Sequence, residues 1–492
     1  MFESAELGHK ISKQDFSKEE PEIHTQLLIT QRELRNTNIP VIIIVSGVEG
    51  AGKGEVVNRL NEWLDTRGVE TTAFWDESDE ERERPAYWRF WRRLPSRGTI
   101  GVMFGSWYTA PIINFVFGKI DSPEYERQLQ RISQFEQMLS EDGALIVKFW
   151  FHMSEKDQHK KLKKEYKYKK HSPFLKKFSK RYQQFFEASE HAIRLTDQGV
   201  SPWHIIEATD RRYRDLSVGR ILLESLKSKL EESKNENTRK STRKSRNKLL
   251  PSDKLNVLNQ IEFGKPISNK NYDKQLEKYQ DKFYQLTWAA KKAGKSSISV
   301  FEGWDAAGKG GGIRRMTAAM DARLYKTISV AAPTDEERAH HYLWRFWRHL
   351  PRAGYVTIYD RSWYGRVLVE RVENFAQDFE WQRAYQEINN FEEELHEFGI
   401  VVSKYWLHIS KEEQLRRFKE REKIPWKAHK ITDEDWRNRK KWDDYENAID
   451  DMVTHTSTEY APWKIIPAND KRSARIEIIK HACERLEKAL AK

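Results

Sequence analysis

Only one cysteine stands in the 492 residues, Cys483, so no disulfide can form within the chain and a reducing compartment is expected. Long apolar runs are missing too: the longest aliphatic stretch, Val41 to Val45, falls far short of the roughly 20 residues that cross a bilayer. The first residues, Met1-Phe-Glu-Ser-Ala-Glu, lack the basic start and apolar stretch of a secretory signal, and a cytoplasmic location is expected. His152 and His408 have no cysteine or acid at ligand spacing, which argues against zinc. What is present is 38% hydrophobic residues, enough for globular cores, and a formal net charge of +12. That charge suits a polyanionic partner such as nucleic acid, a membrane surface or an inorganic phosphate chain.

The chain also reads as one domain written twice. Gly47-Val-Glu-Gly-Ala-Gly-Lys53 returns as Gly303-Trp-Asp-Ala-Ala-Gly-Lys309. At the same offset Trp88-Arg-Phe-Trp91 matches Trp344-Arg-Phe-Trp347, Ser106-Trp-Tyr108 matches Ser362-Trp-Tyr364, and Lys148 matches Lys404. Two domains are therefore expected, over residues 1–230 and 251–492. The almost wholly polar stretch between them, residues 231–250, cannot bury enough apolar surface to order itself and reads as a linker.

In each copy a β-branched run, Val41 to Val45 or Ser297 to Phe301, leads into glycines and then a helical pattern. That is how a buried parallel strand feeding a helix looks. Ser78-Asp-Glu-Glu81 and Thr334-Asp-Glu-Glu337 are capping boxes, each expected to start a helix that stops near Pro95 or Pro351. Further strands are expected over Thr99 to Phe104 and Ala144 to Phe149, and over Tyr355 to Tyr359 and Ile400 to Tyr405. Strands alternate with helices, so the fold class is α/β: two tandem doubly wound domains, each with a mainly parallel sheet.

The Gly-x-x-x-x-Gly-Lys frame has a mechanical basis. Its glycines, Gly303, Gly308, Gly310 and Gly311 with Ala307 in the second copy, let backbone N–H groups curl around phosphate oxygens, and Lys309 reaches the outer phosphates. The residue after the lysine, which usually offers magnesium a hydroxyl, is Gly310 here. The metal must then rest on other oxygens, and Asp305 in the loop and Asp360 at the end of a later strand are the candidate carboxylates. Arg361 and Arg366 bracket Ser362-Trp-Tyr364, where they could neutralise charge on a transferring phosphoryl group. In the first copy Asp360-Arg361 becomes Phe104-Gly105, Arg366 becomes Ala110 and Asp305 becomes Glu49. Only the second copy is expected to do chemistry.

Together Glu302-Gly-Trp-Asp-Ala-Ala-Gly-Lys-Gly310, Tyr359-Asp-Arg-Ser-Trp-Tyr-Gly-Arg366, Trp426-Lys427 and Ala461-Pro-Trp463 resemble the polyphosphate kinase 2 family. The fused double-domain form is similar to its polyphosphate:AMP phosphotransferase class. The resemblance implies a P-loop kinase-like core with a helical lid in each copy, Mg²⁺ as cofactor, and inorganic polyphosphate and AMP as substrates. Carried over by motif, Asp305 acts on the acceptor phosphate and metal, Lys309 binds phosphate, Asp360 serves the metal and Arg361 holds phosphate. The segment from Arg421 to Trp442 matches the lid, with Lys427 and Arg439 as phosphate contacts. In the first copy Met103-Phe-Gly-Ser-Trp-Tyr108 departs from the motif. The lysine-rich stretch His159 to Arg181, where Glu165 is the only acid, is either a solvated helix face or a docking surface for long polyphosphate.

Three other readings remain at this point. One keeps polyphosphate as donor and makes ATP or GTP from diphosphates. Another is a nucleic-acid-binding P-loop ATPase, disfavoured because no recognised binding module is present. The last is a purely structural polyphosphate-binding protein, disfavoured by the intact second copy. No nucleic acid and no membrane are expected as partners, and a homo-oligomer is left open.

Overall fold

The computed structural model describes residues 1–168, 180–240, 257–264, 266–424 and 431–491. The chain forms two compact units: one of Met1–Asp76, Arg89–Lys248 and Asp335–His341, the other of Glu77–Trp88, Leu249–Thr334 and Tyr342–Lys492.

In the first unit five strands, β1 (Val41–Gly47), β2 (Val69–Ala73), β3 (Ile100–Phe104), β4 (Leu145–His152) and β5 (Trp203–Glu207), form one sheet in the order β2-β3-β1-β4-β5. Every pairing is parallel. Its longer helices are α1 (Lys13–Leu34), α2 (Lys53–Trp63), α3 (Ser122–Glu141), α4 (Glu155–Tyr168), α5 (Tyr182–Thr196) and α6 (Arg211–Lys240). The second unit repeats the plan. Strands β6 (Ser297–Gly303), β7 (Tyr325–Ser329), β8 (Val356–Asp360), β9 (Val401–His408) and β10 (Trp463–Pro467) pair in parallel in the order β7-β8-β6-β9-β10. Its longer helices are α7 (Asn269–Lys292), α8 (Lys309–Thr317), α9 (Asp378–Glu397), α10 (Lys411–Glu422), α11 (Asp433–Lys440), α12 (Trp442–Thr456) and α13 (Lys471–Leu490).

Continuous Val/Ile runs make the central strands because helices cover both sheet faces; Val41 through Val45 are all buried. Two of the edge strands, β2 and β7, escape a reading by hydrophobicity. β2 is Val-Glu-Thr-Thr-Ala and β7 is Tyr-Lys-Thr-Ile-Ser, each with exposed positions, so neither has the apolar run of a buried strand.

The Ser-Trp-Tyr motif survives in both copies because it belongs to the fold. Trp363 Nε1 and Tyr364 Oη donate to Glu392 Oε1 at 3.1 and 2.7 Å, and Lys404 Nζ donates to Glu392 Oε2 at 2.7 Å and to the Thr456 carbonyl at 2.6 Å. In the first unit Trp107 and Tyr108 donate to Glu136 at 2.9 and 2.7 Å, and Lys148 meets Glu136 at 2.7 Å and the Thr196 carbonyl at 2.7 Å. Both lysines and both glutamates are fully buried, so removing one partner would strand the other's charge.

Two expectations are corrected. The capping box at Ser78 forms, but its helix is a single turn, Asp79–Arg82, followed by a separate turn, Trp88–Trp91. Pro85 lacks an N–H and restricts the residue before it, which breaks the run. The second copy breaks likewise between Asp335–Arg338 and Trp344–Trp347, with no proline to impose it. The linker does not begin at residue 231, because α6 continues to Lys240; the residues from 241 to 256 lie outside the described ones. The polar composition that argues for disorder is equally that of a solvated helix extension. Residues 169–179 of the first copy's lysine-rich stretch, and Trp426-Lys427, also lie outside the described residues.

Candidate active site

Strand β6 and its neighbour β8 set the site. Their register pairs Phe301 with Asp360, so Asp360 ends β8 beside the point where β6 turns into the glycine loop. Gly303 has φ 148°, and a Cβ there would lie 2.6 Å from the Leu407 carbonyl oxygen. Gly303 is therefore a packing glycine against β9, and it does not line the cavity described next.

Beyond it the loop opens a cavity of about 300 Å³ lined by Trp304 through Gly311, Arg314, Asp360, Arg361, Arg421 and Asp435. Asp305, Asp360, Lys309 and Arg361 thus share one space, together with Ala307, Gly308, Gly310 and Gly311. At Gly308 and Gly310 an added Cβ would meet nothing within 4 Å.

The loop's carbonyls are taken up by side chains. Lys309 Nζ donates to the Gly303 carbonyl at 2.6 Å. Arg417, buried on α10, donates to the carbonyls of Ala306 and Ala307 at 3.0 and 2.9 Å, and to those of Ala468 and Asn469 at 2.6 and 3.0 Å. The N–H groups of Asp305, Ala306, Gly308, Lys309 and Gly310 have no acceptor among the described residues. At the N-terminus of α8 these donors and the helix dipole form an anion cradle.

Two non-glycine residues hold left-handed backbone here, Ala306 at φ 63° and Arg361 at φ 64°. Such conformations persist at functional sites when the surroundings fix them. The Arg361 guanidinium lies 3.5 Å from Asp305 and 3.8 Å from Glu434. Beneath the loop Glu302 is buried and accepts from Ser362 Oγ at 2.8 Å; burial pushes its carboxyl above the ordinary range, opposed by Lys309. Burial likewise raises Asp435. The Asp360 carboxylate has no hydrogen-bond or ion-pair partner among the described residues.

Arg366 and Arg439 are not among the lining residues. Arg366 pairs with Glu370 at 3.1 Å and lies over the Tyr342 ring, while Arg439 ties to the Lys411 carbonyl and to Gln414. Lys427 lies outside the described residues. Arg314, Arg421 and Asp435 line the cavity without having been singled out as site residues; the lid-like segment from Arg421 to Trp442 contained the last two, and Arg314, on α8, carried no signal of its own. His408 is buried, takes the Trp304 Nε1–H at 3.3 Å and stacks on Phe263; burial lowers it to about 4. Among the described residues no cluster of three or more metal-ligating side chains occurs, and no helix is long and apolar enough to cross a membrane.

The first copy's loop has the same backbone and a different filling. Lys53 donates to Glu49 at 3.2 Å as well as to the carbonyls of Gly47 and Val48. Glu55 stands where the second copy has Gly311, and Arg214, fully buried on α6, pairs with it at 2.9 Å. A Cβ on Gly52 would lie 1.9 Å from that guanidinium, whereas its counterpart Gly308 faces open space.

The family model for polyphosphate kinase 2 matches residues 10–234 and 266–492. A polyphosphate:AMP phosphotransferase of Pseudomonas aeruginosa is 47% identical, with both chains covered completely. One from Acinetobacter johnsonii is 37% identical over 95% of this chain and 96% of its own. Among solved structures, a polyphosphate kinase 2 from Pseudomonas aeruginosa superposes with a TM-score of 0.91 at 46% identity, covering 100% of both chains.

Proposed function

The chain belongs to the polyphosphate kinase 2 family, and from that footing we propose that its second copy transfers the terminal phosphoryl group of inorganic polyphosphate to AMP, forming ADP. The bond made joins an oxygen of the AMP phosphate to the transferred phosphorus. The bond broken is the terminal P–O–P link, and the chain leaves one phosphate shorter. Full-length relatives named for this activity support the reading, and relatives named for diphosphate acceptors match only about half of this chain.

The observation that carries the proposal is the one cavity that Lys309, Arg361 and the loop N–H groups share with Asp305 and Asp360. Phosphoryl transfer needs positioning and neutralised charge more than covalent chemistry. Lys309 and Arg361 supply positive charge at the transferred group, and the loop donors orient the phosphate oxygens. The unpartnered Asp360 carboxylate, with Asp305 in the same cavity, suits Mg²⁺, which takes one or two carboxylates plus water and phosphate oxygens. Bound there, the ion would screen phosphate charge. The first copy, its lysine and loop already paired to Glu49 and Arg214, takes no part in the chemistry.

Product analysis after incubation with polyphosphate, Mg²⁺ and each of AMP, ADP, GMP and GDP tests the proposal. ADP from AMP is expected as the dominant product. Triphosphates from ADP or GDP with no product from AMP would replace it by the diphosphate-kinase reading.

A further inference from the structure

The Asp305 carboxylate is held from two sides. Arg361 Nη2 lies 3.5 Å from Oδ1, and the side-chain amide of Asn438, on α11, donates to Oδ2 at 2.9 Å. Asn438 is itself oriented: Tyr445 Oη, on α12, donates to its Oδ1 at 3.1 Å. That bond occupies the amide oxygen and leaves only the NH₂ group to face Asp305. Two more contacts tie the same helices to the loop and its neighbour: Glu434 lies 3.8 Å from Arg361, and Trp442 stacks on Trp304 with ring centroids 3.6 Å apart and planes 6° from parallel.

The first copy has lost the arrangement as a set. The Trp203–Thr196 and Trp463–Thr456 hydrogen bonds align α5 with α12. On that alignment Phe185 stands for Tyr445, and Phe178, outside the described residues, stands for Asn438 by sequence, while Glu49 replaces Asp305. The amide and the phenol are absent together, and the carboxylate is moved out by one methylene, in the copy that also lacks Arg361.

We propose that Asn438 is a positioning residue that couples docking of α11 to the orientation of the Asp305 carboxylate. The proposal rests on the reading of this cavity as a phosphoryl-transfer site. A hydrogen bond to a charged group supports roughly a ten- to hundred-fold effect. Asn438→Ala should lower kcat by about that factor, with the KM for polyphosphate within about two-fold of the parent. Tyr445→Phe, which keeps the ring and removes only the orienting hydroxyl, should lower kcat less and in the same direction. In an Asp305→Ala background Asn438→Ala should do nothing further.

A readout independent of turnover is hydrogen exchange of residues 433–440. Asn438→Ala and Asp305→Ala should each speed it, although alanine is the better helix former. If the parent makes no ADP, the proposed function fails and the exchange experiment still tests the coupling. The proposal is overturned by unchanged exchange in both variants, by kcat within about two-fold of the parent in Asn438→Ala, or by a full loss from Asn438→Ala in the Asp305→Ala background.

Discussion

Arg361 and Gly105 occupy the same place in the two sheets, one residue past β8 and β3, and share the left-handed backbone at φ 64° and 76°. Ala306 and Gly50 repeat the relation at φ 63° and 84°. Where the second copy keeps a strained side chain, the first has glycine and no strain. A non-glycine residue in this region costs about 1–3 kcal/mol and persists only where its surroundings fix it; at Arg361 the guanidinium's contacts with Asp305 and Glu434 do so. Arg361→Gly should therefore abolish most ADP formation while the thermal midpoint holds or rises. Gly105→Arg should lower the midpoint, because its Cβ would lie 2.7 Å from the Phe74 carbonyl oxygen, and should add no activity. Differential scanning calorimetry beside the ADP assay checks both.

Arg417 holds four loop and strand-end carbonyls and Glu413 from a buried position. Arg417→Met keeps the volume and strands those acceptors and Glu413. A loss of about 3 kcal/mol or more in urea unfolding is expected, with a raised KM for polyphosphate as the loop carbonyls turn inward. Arg417→Lys, which puts into the second copy the residue that the first carries as Lys161, should fall between.

His408 gives the second unit an acid-sensitive element. Its folded pKa is lowered to about 4 by burial, below the ordinary value of 6.5, so the unfolded chain binds the proton more readily. Its contribution is complete above about pH 6.5 and is lost as pH falls toward 4. Between about pH 7.5 and pH 5 the cost is about 2 kcal/mol. Urea unfolding at both values should show the drop; His408→Asn should remove about 2 kcal/mol of it and leave the part due to His481, which burial in the same unit also lowers to about 4.

Much of this was legible because β1, β6 and the two glycine loops carry local signals: β-branched runs buried on both faces, then glycines at fixed spacing. Asp360 was legible because a carboxylate at a strand end beside such a loop has few structural uses. Asn438, Tyr445 and Arg417 were not, since each acts across more than a hundred residues of chain or through a partner that the sequence does not put beside it. Arg366 looked like a site residue for the opposite reason: proximity in sequence to Arg361 says nothing about which way a turn aims its side chain. Edge strands β2 and β7 were missed because half-exposed strands are mostly polar.

The most direct test of two copies with one chemistry compares Lys53→Ala with Asp360→Ala in the full chain, scoring ADP from AMP and polyphosphate. Activity near that of the parent in Lys53→Ala and a loss of at least about a hundred-fold in Asp360→Ala is the predicted result. Comparable losses in both would contradict it, since the first loop would then take part in the reaction.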